Sequence, residues 1–426
     1  MVGRLQFLVI AVLLVLAAFA TGADFLFFLV YLGLLVGGGA YVVTRLGLSD
    51  LEAGYALSQL HGSVGEHLRV TYTLRNTSRL PKPWLEVEQG SNLPYPLPGR
   101  AIGLGPRAER TWAMRVPLSR RGHFRIDPLQ VRTGDPFGLF EASASVGTGA
   151  TLIVYPRVEP LPFWHLPPTG VEGDKASRVR TYETSPLVTS VRPYAPGDGY
   201  NRIHWPTTVR HQEIHVKEFD LEQAADVLLF LDLEAGVQVG QGDDSTVEAA
   251  VRVAAATAAQ ALADNRAVGL TAVGRRRTVL PADRGPRQYQ KVMQALAAAQ
   301  ADGETPLSEL LTHGLVRLRR GMTVLVVTPS LDPGWVRPLA ALRPRGVGAA
   351  VCHLDAAAFS AVAHPDRARR GAPAPEDGPP AELERGVRGL RHALAEFDVP
   401  VHSIVPRRPL GELLVTPGAV AARRTA

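Results

Sequence analysis

Acid–base side chains crowd one stretch of this 426-residue sequence, "VRPYAPGDGYNRIHWPTTVRHQEIHVKEF", from Val191 to Phe219. His204, His211 and His215 supply imidazoles, and Asp198, Glu213 and Glu218 supply carboxylates. General acid–base catalysis needs two such groups within hydrogen-bond reach of one reacting atom. Spacing along a chain does not establish that. No nucleophile elbow, P-loop, H-E-x-x-H or Cys/His pair accompanies them. Read as a strand, "HQEIHVKEF" places His211, Glu213, His215 and Lys217 on one face and Ile214, Val216 and Glu218 on the other. That pattern admits a His-x-Glu-x-His cation site only weakly, and an ordinary half-exposed strand accounts for it better.

An ion-paired clasp is the leading reading of the same residues. Gly197-Asp198-Gly199 is a turn, because glycine tolerates positive φ and Asp bonds its own turn. Asp198 can pair with Arg192, Arg202 or Arg210, whose planar guanidinium takes a carboxylate with two bonds. Trp205 would then cover the pair or anchor the segment to a sheet. A docking surface built from the same Arg and Trp side chains is the second reading, since these types dominate binding hot spots. Catalysis is the third.

The elements that position this stretch begin in a membrane. "LQFLVIAVLLVLAAFA" (5–20) and "FLFFLVYLGLLVGGGAYVV" (25–43) are each close to the ~20 residues that cross hydrocarbon as a helix. The polar link "TGAD" makes them a hairpin, with spans over 5–22 and 25–44 inside a membrane region 1–48. Arg4 precedes the first span and Arg45 follows the second, so the positive-inside rule puts the body in the cytoplasm, as a multi-pass protein of the cell (inner) membrane. "AFA" also resembles a signal-peptidase site. Cleavage there would leave the second span as a stop-transfer segment and the body still cytoplasmic.

Residues 53–158 alternate as strands do. In "HLRVTYTLRNTS", Leu68, Val70, Tyr72 and Leu74 share one face. "WLEVEQG", "ERTWAMRVPL", "HFRIDPLQVRTG" and "ASASVG" follow between turn residues, which predicts a small antiparallel, Ig-like β-sandwich without a disulfide. Within it, Asp135-Pro136 opens a turn beside Phe137, Leu139 and Phe140. This is either a packed corner or an exposed hydrophobic docking loop. A Pro-rich then charged connection, 159–222, carries the acid–base stretch.

From 223 to 417 strands and helices alternate, which predicts an α/β domain with a parallel sheet covered on both faces. "QAADVLLFLDL" reads as a buried strand, "STVEAAVRVAAATAAQALADN" as a helix capped by Ser245 and Glu248, and "PLSELLTHGLVRLRR" as a further helix. Sites in such sheets lie beyond the strands' carboxyl ends, here Asp232, Thr328 to Asp332, and Asp355. "ARRGAPAPEDGPP" (368–380) reads as a mobile loop.

Composition narrows the classes. A chain of this length holds two or three domains at ~150 residues each, and 46% apolar content is ample for their cores. The net charge of +6 is almost entirely Arg. With heavy Ala, Gly and Pro usage it reads as coding bias, and Arg275-Arg276-Arg277 lacks the interleaved aromatics of a nucleic-acid surface. The single cysteine, Cys352, excludes an intrachain disulfide. It lies in the strand-like "VGAAVCHLD", where His353 points to the opposite face, so the thiol reads as inert.

Together these residues resemble bacterial membrane proteins carrying the "domain of unknown function 58". Arg192, Tyr194, Gly197, Asp198, Ile203, Trp205, Arg210, Val216, Glu218 and Phe219 match that family's pattern, and "RRG" (120–122) and "DPFGLF" (135–140) are similar to its other motifs. The resemblance implies a von Willebrand factor A-like C-terminal domain of Rossmann type and a MoxR-type AAA+ ATPase as partner. Neither a nucleic-acid partner nor a required cofactor is expected. A von Willebrand A domain holds a divalent cation through D-x-S-x-S, a distant Thr and a distant Asp, and Mg²⁺ wants six oxygens at ~2.1 Å. Here Asp232 matches, Glu234 and Gly236 replace the serines, Thr305 offers the distant Thr, and Ser330 or Asp332 the distant Asp. The set is degraded. The expected function is a membrane-anchored, non-enzymatic adaptor; the alternatives are a divalent-metal-dependent enzyme at the strand ends and an adhesion module.

Overall fold

The computed structural model describes residues 2–162, 164, 166, 188–195, 203–219, 226–314, 318–363 and 381–415. Gly197, Asp198, Arg202 and the stretch 368–380 lie outside them, and so do the clasp and the loop expected there. Contacts divide the chain into two compact units, Met1–Arg157 with Met293–Ala298, and Val158–Val292 with Ala299–Ala426.

The first unit opens with two helices, α1 (Val2–Thr21) and α2 (Asp24–Gly47). The chain turns between them at Gly22, whose φ of 70° lies in the left-handed region that only glycine adopts freely. Phe19 and Phe27 meet edge to face across the turn, ring centroids 5.4 Å apart. Among the described residues α2 is the one helix long and apolar enough to cross a membrane, while Val9–Thr21 is a shorter apolar stretch. Phe25, Phe28, Tyr31, Leu34 and Leu35 are exposed on α2, an arrangement suited to lipid rather than water.

Two sheets follow. One contains β1 (Leu51–Leu57), β3 (His67–Asn76) and β6 (Glu109–Pro117) in the order β1-β3-β6. The other runs β2-β9-β7-β4-β5, from β2 (His61–Ser63), β4 (Lys82–Ser91), β5 (Arg100–Leu104), β7 (Gly122–Gly134) and β9 (Ala150–Tyr155), with β8 (Glu141–Val146) paired to β7. Leu68, Val70, Tyr72 and Leu74 of β3 are buried as the alternation predicts, in one core with Leu85, Val87, Ile126, Leu129, Val131 and Leu152 of the second sheet. The expectation of a wholly antiparallel arrangement is corrected by β2, which pairs parallel with β9. The chain leaves the first sheet after β1 and lays three residues along the far edge of the second.

The second unit holds a two-stranded antiparallel pair, β10 (Val188–Pro193) and β11 (His215–Phe219), joined through helix α3 (Trp205–His211). Its main sheet has six strands: β12 (Val227–Leu231), β13 (Val268–Val273), β14 (Arg277–Asp283), β15 (Thr323–Thr328), β16 (Gly348–Leu354) and β17 (Val401–Ile404). Their order is β14-β13-β12-β15-β16-β17. All neighbours are parallel except β13 and β14. The edge strand β14 was not legible as an element. Every residue of β12 and β15 is buried, which is why both read as unbroken apolar runs.

Helices α4 (Thr246–Ala263), α5 (Pro286–Ala298), α6 (Leu307–Gly314), α7 (Val336–Ala340), α8 (Ala356–Ala363), α9 (Ala381–Glu396) and α10 (Leu410–Leu413) complete the described elements. Ser245 caps α4 by accepting the Glu248 N–H at 3.3 Å. The helix expected to run on through "LVRLRR" is described as far as Gly314, and 318–320 are not helical. A Cβ at Gly314 would lie 2.4 Å from the Phe230 ring, so that turn packs directly on β12.

The start of the expected connecting arm belongs to this body. The Glu159 carboxylate takes the Arg252 guanidinium at 2.5 Å and the Leu410 N–H at 2.9 Å. Leu161 and Trp164 are buried.

Candidate functional site

The acid–base stretch folds as a strand, a helix and a strand. The Tyr194 N–H donates to the Ile214 carbonyl at 2.7 Å, the His204 N–H to the His215 carbonyl at 2.8 Å, and Ile203 bridges to Val216. Pro206 starts α3 in the position where a missing N–H costs nothing. Gln212, at φ 57°, ends it. The Thr208 hydroxyl then accepts the His215 N–H at 3.1 Å. "HQEIHVKEF" is therefore not one strand: His211 closes the helix, Glu213 lies in the turn, and only 215–219 are extended. The single strand on which the expected His211, Glu213, His215 and Lys217 face rested does not form.

Histidines 211 and 215 do meet, ring centroids 5.3 Å apart. The His215 Nδ1 bonds the Glu213 carbonyl at 2.8 Å rather than its carboxylate, and His204 Nδ1 bonds the Thr207 hydroxyl at 2.7 Å. No group of three His, Cys, Asp or Glu side chains converges anywhere among the described residues. The histidines are thus tied into local turns.

Arg192 lies opposite Val216, and Ser190 opposite Glu218, in the β10–β11 register. Tyr194 is half-buried and Arg210 exposed. Trp205, expected to cover the ion pair or anchor the segment to a sheet, is 64% exposed. One helical turn on, Val209 is 76% exposed, and Ile214 beyond the helix is 45% exposed. Residues i and i+4 share a helix face, so Trp205 and Val209 present an apolar pair to solvent with Arg210 beside it. Sequence reasoning missed Val209 and the exposure of Ile214; the signal for Val209 was the i, i+4 spacing within "WPTTV".

The second candidate is the strand-end cluster. The sheet order reverses between β12 and β15, and Asp232 stands directly after β12, at the switch point where α/β sheets bind ligands. It is only 2% exposed. Its Oδ2 accepts the Thr328 hydroxyl at 2.6 Å and its Oδ1 the Glu234 N–H at 3.1 Å. Burial raises its pKa to about 6, against the opposing pull of those two bonds.

The crevice is closed by backbone. Glu234 bridges to Gly303, the Ala235 N–H donates to the Gly303 carbonyl at 2.8 Å, and the Gly303 N–H to the Leu233 carbonyl at 3.0 Å. Thr305 is half-buried just beyond. Asp332 is exposed and caps a turn by accepting the Gly334 N–H at 2.9 Å. Ser330 is buried beside Thr328, whose hydroxyl takes the Ser330 N–H at 2.9 Å. A hard cation would find Asp232 with both oxygens engaged, the Thr328 hydroxyl already donated to it, and Asp332 exposed on a turn of its own. These residues do not fit an Mg²⁺ site.

Asp135 and Phe137 lie between β7 and β8. The Asp135 carboxylate accepts the Phe137 N–H at 2.8 Å and the Phe140 N–H at 2.5 Å. Burial alone would raise its pKa, but these backbone bonds outweigh it and the net shift is downward. Phe137 stands out of the closed loop, 64% exposed. Cys352 is fully buried, and burial pushes its thiol pKa up, away from reactivity.

Comparison with known proteins adds the following. The profile of a family described as "Protein of unknown function DUF58" matches residues 190–359, a span that opens at the β10–α3–β11 hairpin and takes in the main sheet through β16. The "Uncharacterized protein YeaD" of Bacillus subtilis is 26% identical over 293 residues, covering 67% of this chain and 69% of that protein. Among solved structures, a CARDB domain from Pyrococcus furiosus is 15% identical, covering 25% of this chain and 92% of its own at a TM-score of 0.20. An alkylpurine DNA glycosylase, AlkC of Pseudomonas fluorescens, is 15% identical, with 28% of this chain and 34% of its own covered at a TM-score of 0.19.

Proposed function

We propose that this chain is a membrane-anchored, non-enzymatic adaptor that holds a MoxR-type AAA+ ATPase at the bilayer. In this reading α1 and α2 both cross the membrane, the body faces the cytoplasm, and the β10–α3–β11 hairpin is the docking surface. The carrying observation is the exposure of Trp205, Val209 and Ile214 together on one short element. Large apolar side chains grouped on a surface mark interaction sites, and a Trp flanked by Arg is the composition of a hot spot. Trp205, Val209 and Ile214 also lie inside the span that matches the DUF58 profile.

The α/β body is the rigid support. Its strand order, with β14 antiparallel at one edge and the reversal between β12 and β15, is compatible with a von Willebrand A-like domain. Its switch point is closed over Asp232, so recognition falls to the hairpin. The first unit's two sheets are proposed as an Ig-like domain.

Co-purification tests this. The full chain, solubilised gently and co-expressed with a MoxR-type ATPase, is expected to retain it. Trp205→Ala with Val209→Ala should abolish capture and leave the melting temperature unchanged, because neither side chain is buried. An ATPase that ignores the wild-type chain, or binds the double variant equally well, overturns the proposal.

A further inference from the structure

The loop between β7 and β8 sits against the membrane helix. The Phe140 ring meets the Tyr41 ring of α2 edge to face, centroids 5.6 Å apart. Lys82 Nζ donates to the Leu46 carbonyl, capping the C-terminal end of α2. A Cβ on Gly47 would lie 2.6 Å from the Thr133 side chain, so helix and β7 touch closely there. Thr133 in turn donates to the Trp84 carbonyl at 2.8 Å, and the Trp84 ring lies beside Gly134, half-exposed.

Depth along α2 gives this contact its meaning. From Asp24 to Tyr41 an α-helix rises roughly 26 Å, and the hydrocarbon layer is about 30 Å thick. Tyr41 therefore falls near the far boundary of the layer, and the exposed Arg45 one turn later reaches the headgroups. Tyr and Trp gather at that depth. The exposed Phe137 and Trp84 and the half-buried Leu139 and Phe140 stand at the same end of α2.

The loop cannot withdraw Phe137 by rearranging. Asp135 clamps the Phe137 and Phe140 N–H groups, and the Asp135 and Phe140 backbones close on each other at 3.3 Å. The one charge within 135–140 is spent inward on backbone donors, so the tip offers lipid an aromatic ring, with the exposed Glu141 behind it at the start of β8.

We propose that Asp135–Phe140 is an interfacial membrane anchor, in which Phe137 enters the boundary between headgroups and acyl chains and seats the β-sheets of the first unit against the bilayer beside α2. It rests on the reading that α2 spans the membrane. The occupant is lipid because the patch is continuous with a helix of lipid-facing composition. A protein occupant is the alternative that the test separates.

The test uses the full chain with Cys352→Ser, reconstituted in phosphatidylcholine–phosphatidylglycerol vesicles and carrying one environment-sensitive label at Phe137→Cys. Lipids bearing a nitroxide near the headgroup should quench this label strongly, lipids bearing one near the bilayer centre weakly, and aqueous iodide several-fold less than a label at His67→Cys. His67 begins β3, whose other end, Asn76, pairs with Leu51 just past α2; nine residues of strand put it roughly 30 Å away. A label at Leu35→Cys checks the span. If Leu35 is lipid-quenched and position 137 responds to iodide as His67 does, the anchor is overturned while the span stands. Shielding of 137 from both quenchers indicates a protein occupant and also overturns it. Failure of lipid quenching at Leu35 removes the span and the anchor with it.

Discussion

Replacing Asp232 with Asn should stabilise the second unit at neutral and alkaline pH. The carboxyl is 2% exposed, and its pKa is raised from 3.8 to about 6 by burial. The folded state therefore binds the proton more tightly than the unfolded state. The group's favourable contribution is complete below the unfolded pKa of 3.8 and is lost as pH rises through about 6. At roughly 1.4 kcal/mol per pH unit, carrying the charge at pH 8 costs about 3 kcal/mol. Asn keeps an acceptor for the Glu234 N–H but turns a donor toward Thr328, whose own proton loses its partner at about 1 kcal/mol. The net gain is about 2 kcal/mol, or a rise of roughly 4–8 °C for a unit of this size. Thermal unfolding of the full chain in detergent, followed by tryptophan fluorescence at pH 4.5, 6 and 8, reads this directly. The Asn variant should lead at pH 8 and lose its lead by pH 4.5. A variant that melts lower at pH 8, or a difference independent of pH, refutes the reasoning. So does Mg²⁺ that raises the melting of the wild type and not of the variant.

Two further substitutions probe the closures around these sites. Gly303→Ala places a Cβ 2.5 Å from the Val273 carbonyl oxygen and 2.9 Å from that of Leu233; the backbone must part, and a loss of about 1–3 kcal/mol is expected in urea unfolding. Full stability in that variant would mean the crevice above Asp232 is not held shut as described. Asp135→Ala strands the Phe137 and Phe140 N–H groups, at a cost of about 1–3 kcal/mol near neutral pH. Because the folded carboxyl has a lowered pKa, that advantage is present above the ordinary value of 3.8 and disappears as pH falls below it. Urea midpoints of wild type and variant should therefore converge in acid, and a gap that persists there would contradict the assignment.

What the sequence disclosed was what local chemistry determines. Alternation in 67–76 follows from a strand with one face in a core, and unbroken apolar runs at 227–231 and 323–328 follow from strands covered on both faces. Ser245 and Glu248 announced the start of α4 because a cap is a contact between near neighbours. What it concealed depends on distant pairing. Three residues of β2 carry no periodicity, so their parallel pairing with β9 had no signature. In 211–219 alternating charged and apolar residues suggested a strand, but Pro206 had already committed the chain to a helix ending at His211. Asp232 was recognisable by type and position. Its closure by Gly303, some seventy residues on, and its bond to Thr328 were not.

The two candidate sites differ in what they leave available, and that difference favours the proposed role. Chemistry at a strand end needs a titratable group open to a substrate, and Asp232 has its two oxygens bonded and a backbone pairing above it. The hairpin is the opposite case. Helix α3 has seven residues and buries none of them. A helix so far below about 12 residues does not hold itself in water, and it is fastened here by backbone and threonine bonds at its two ends. Its apolar Trp205–Val209 pair gains nothing from the described part of its own fold. The burial that would make such a pair worth exposing can come only from outside those residues, so a bound protein should protect α3 amides from hydrogen exchange while leaving the Asp232 strand ends unchanged.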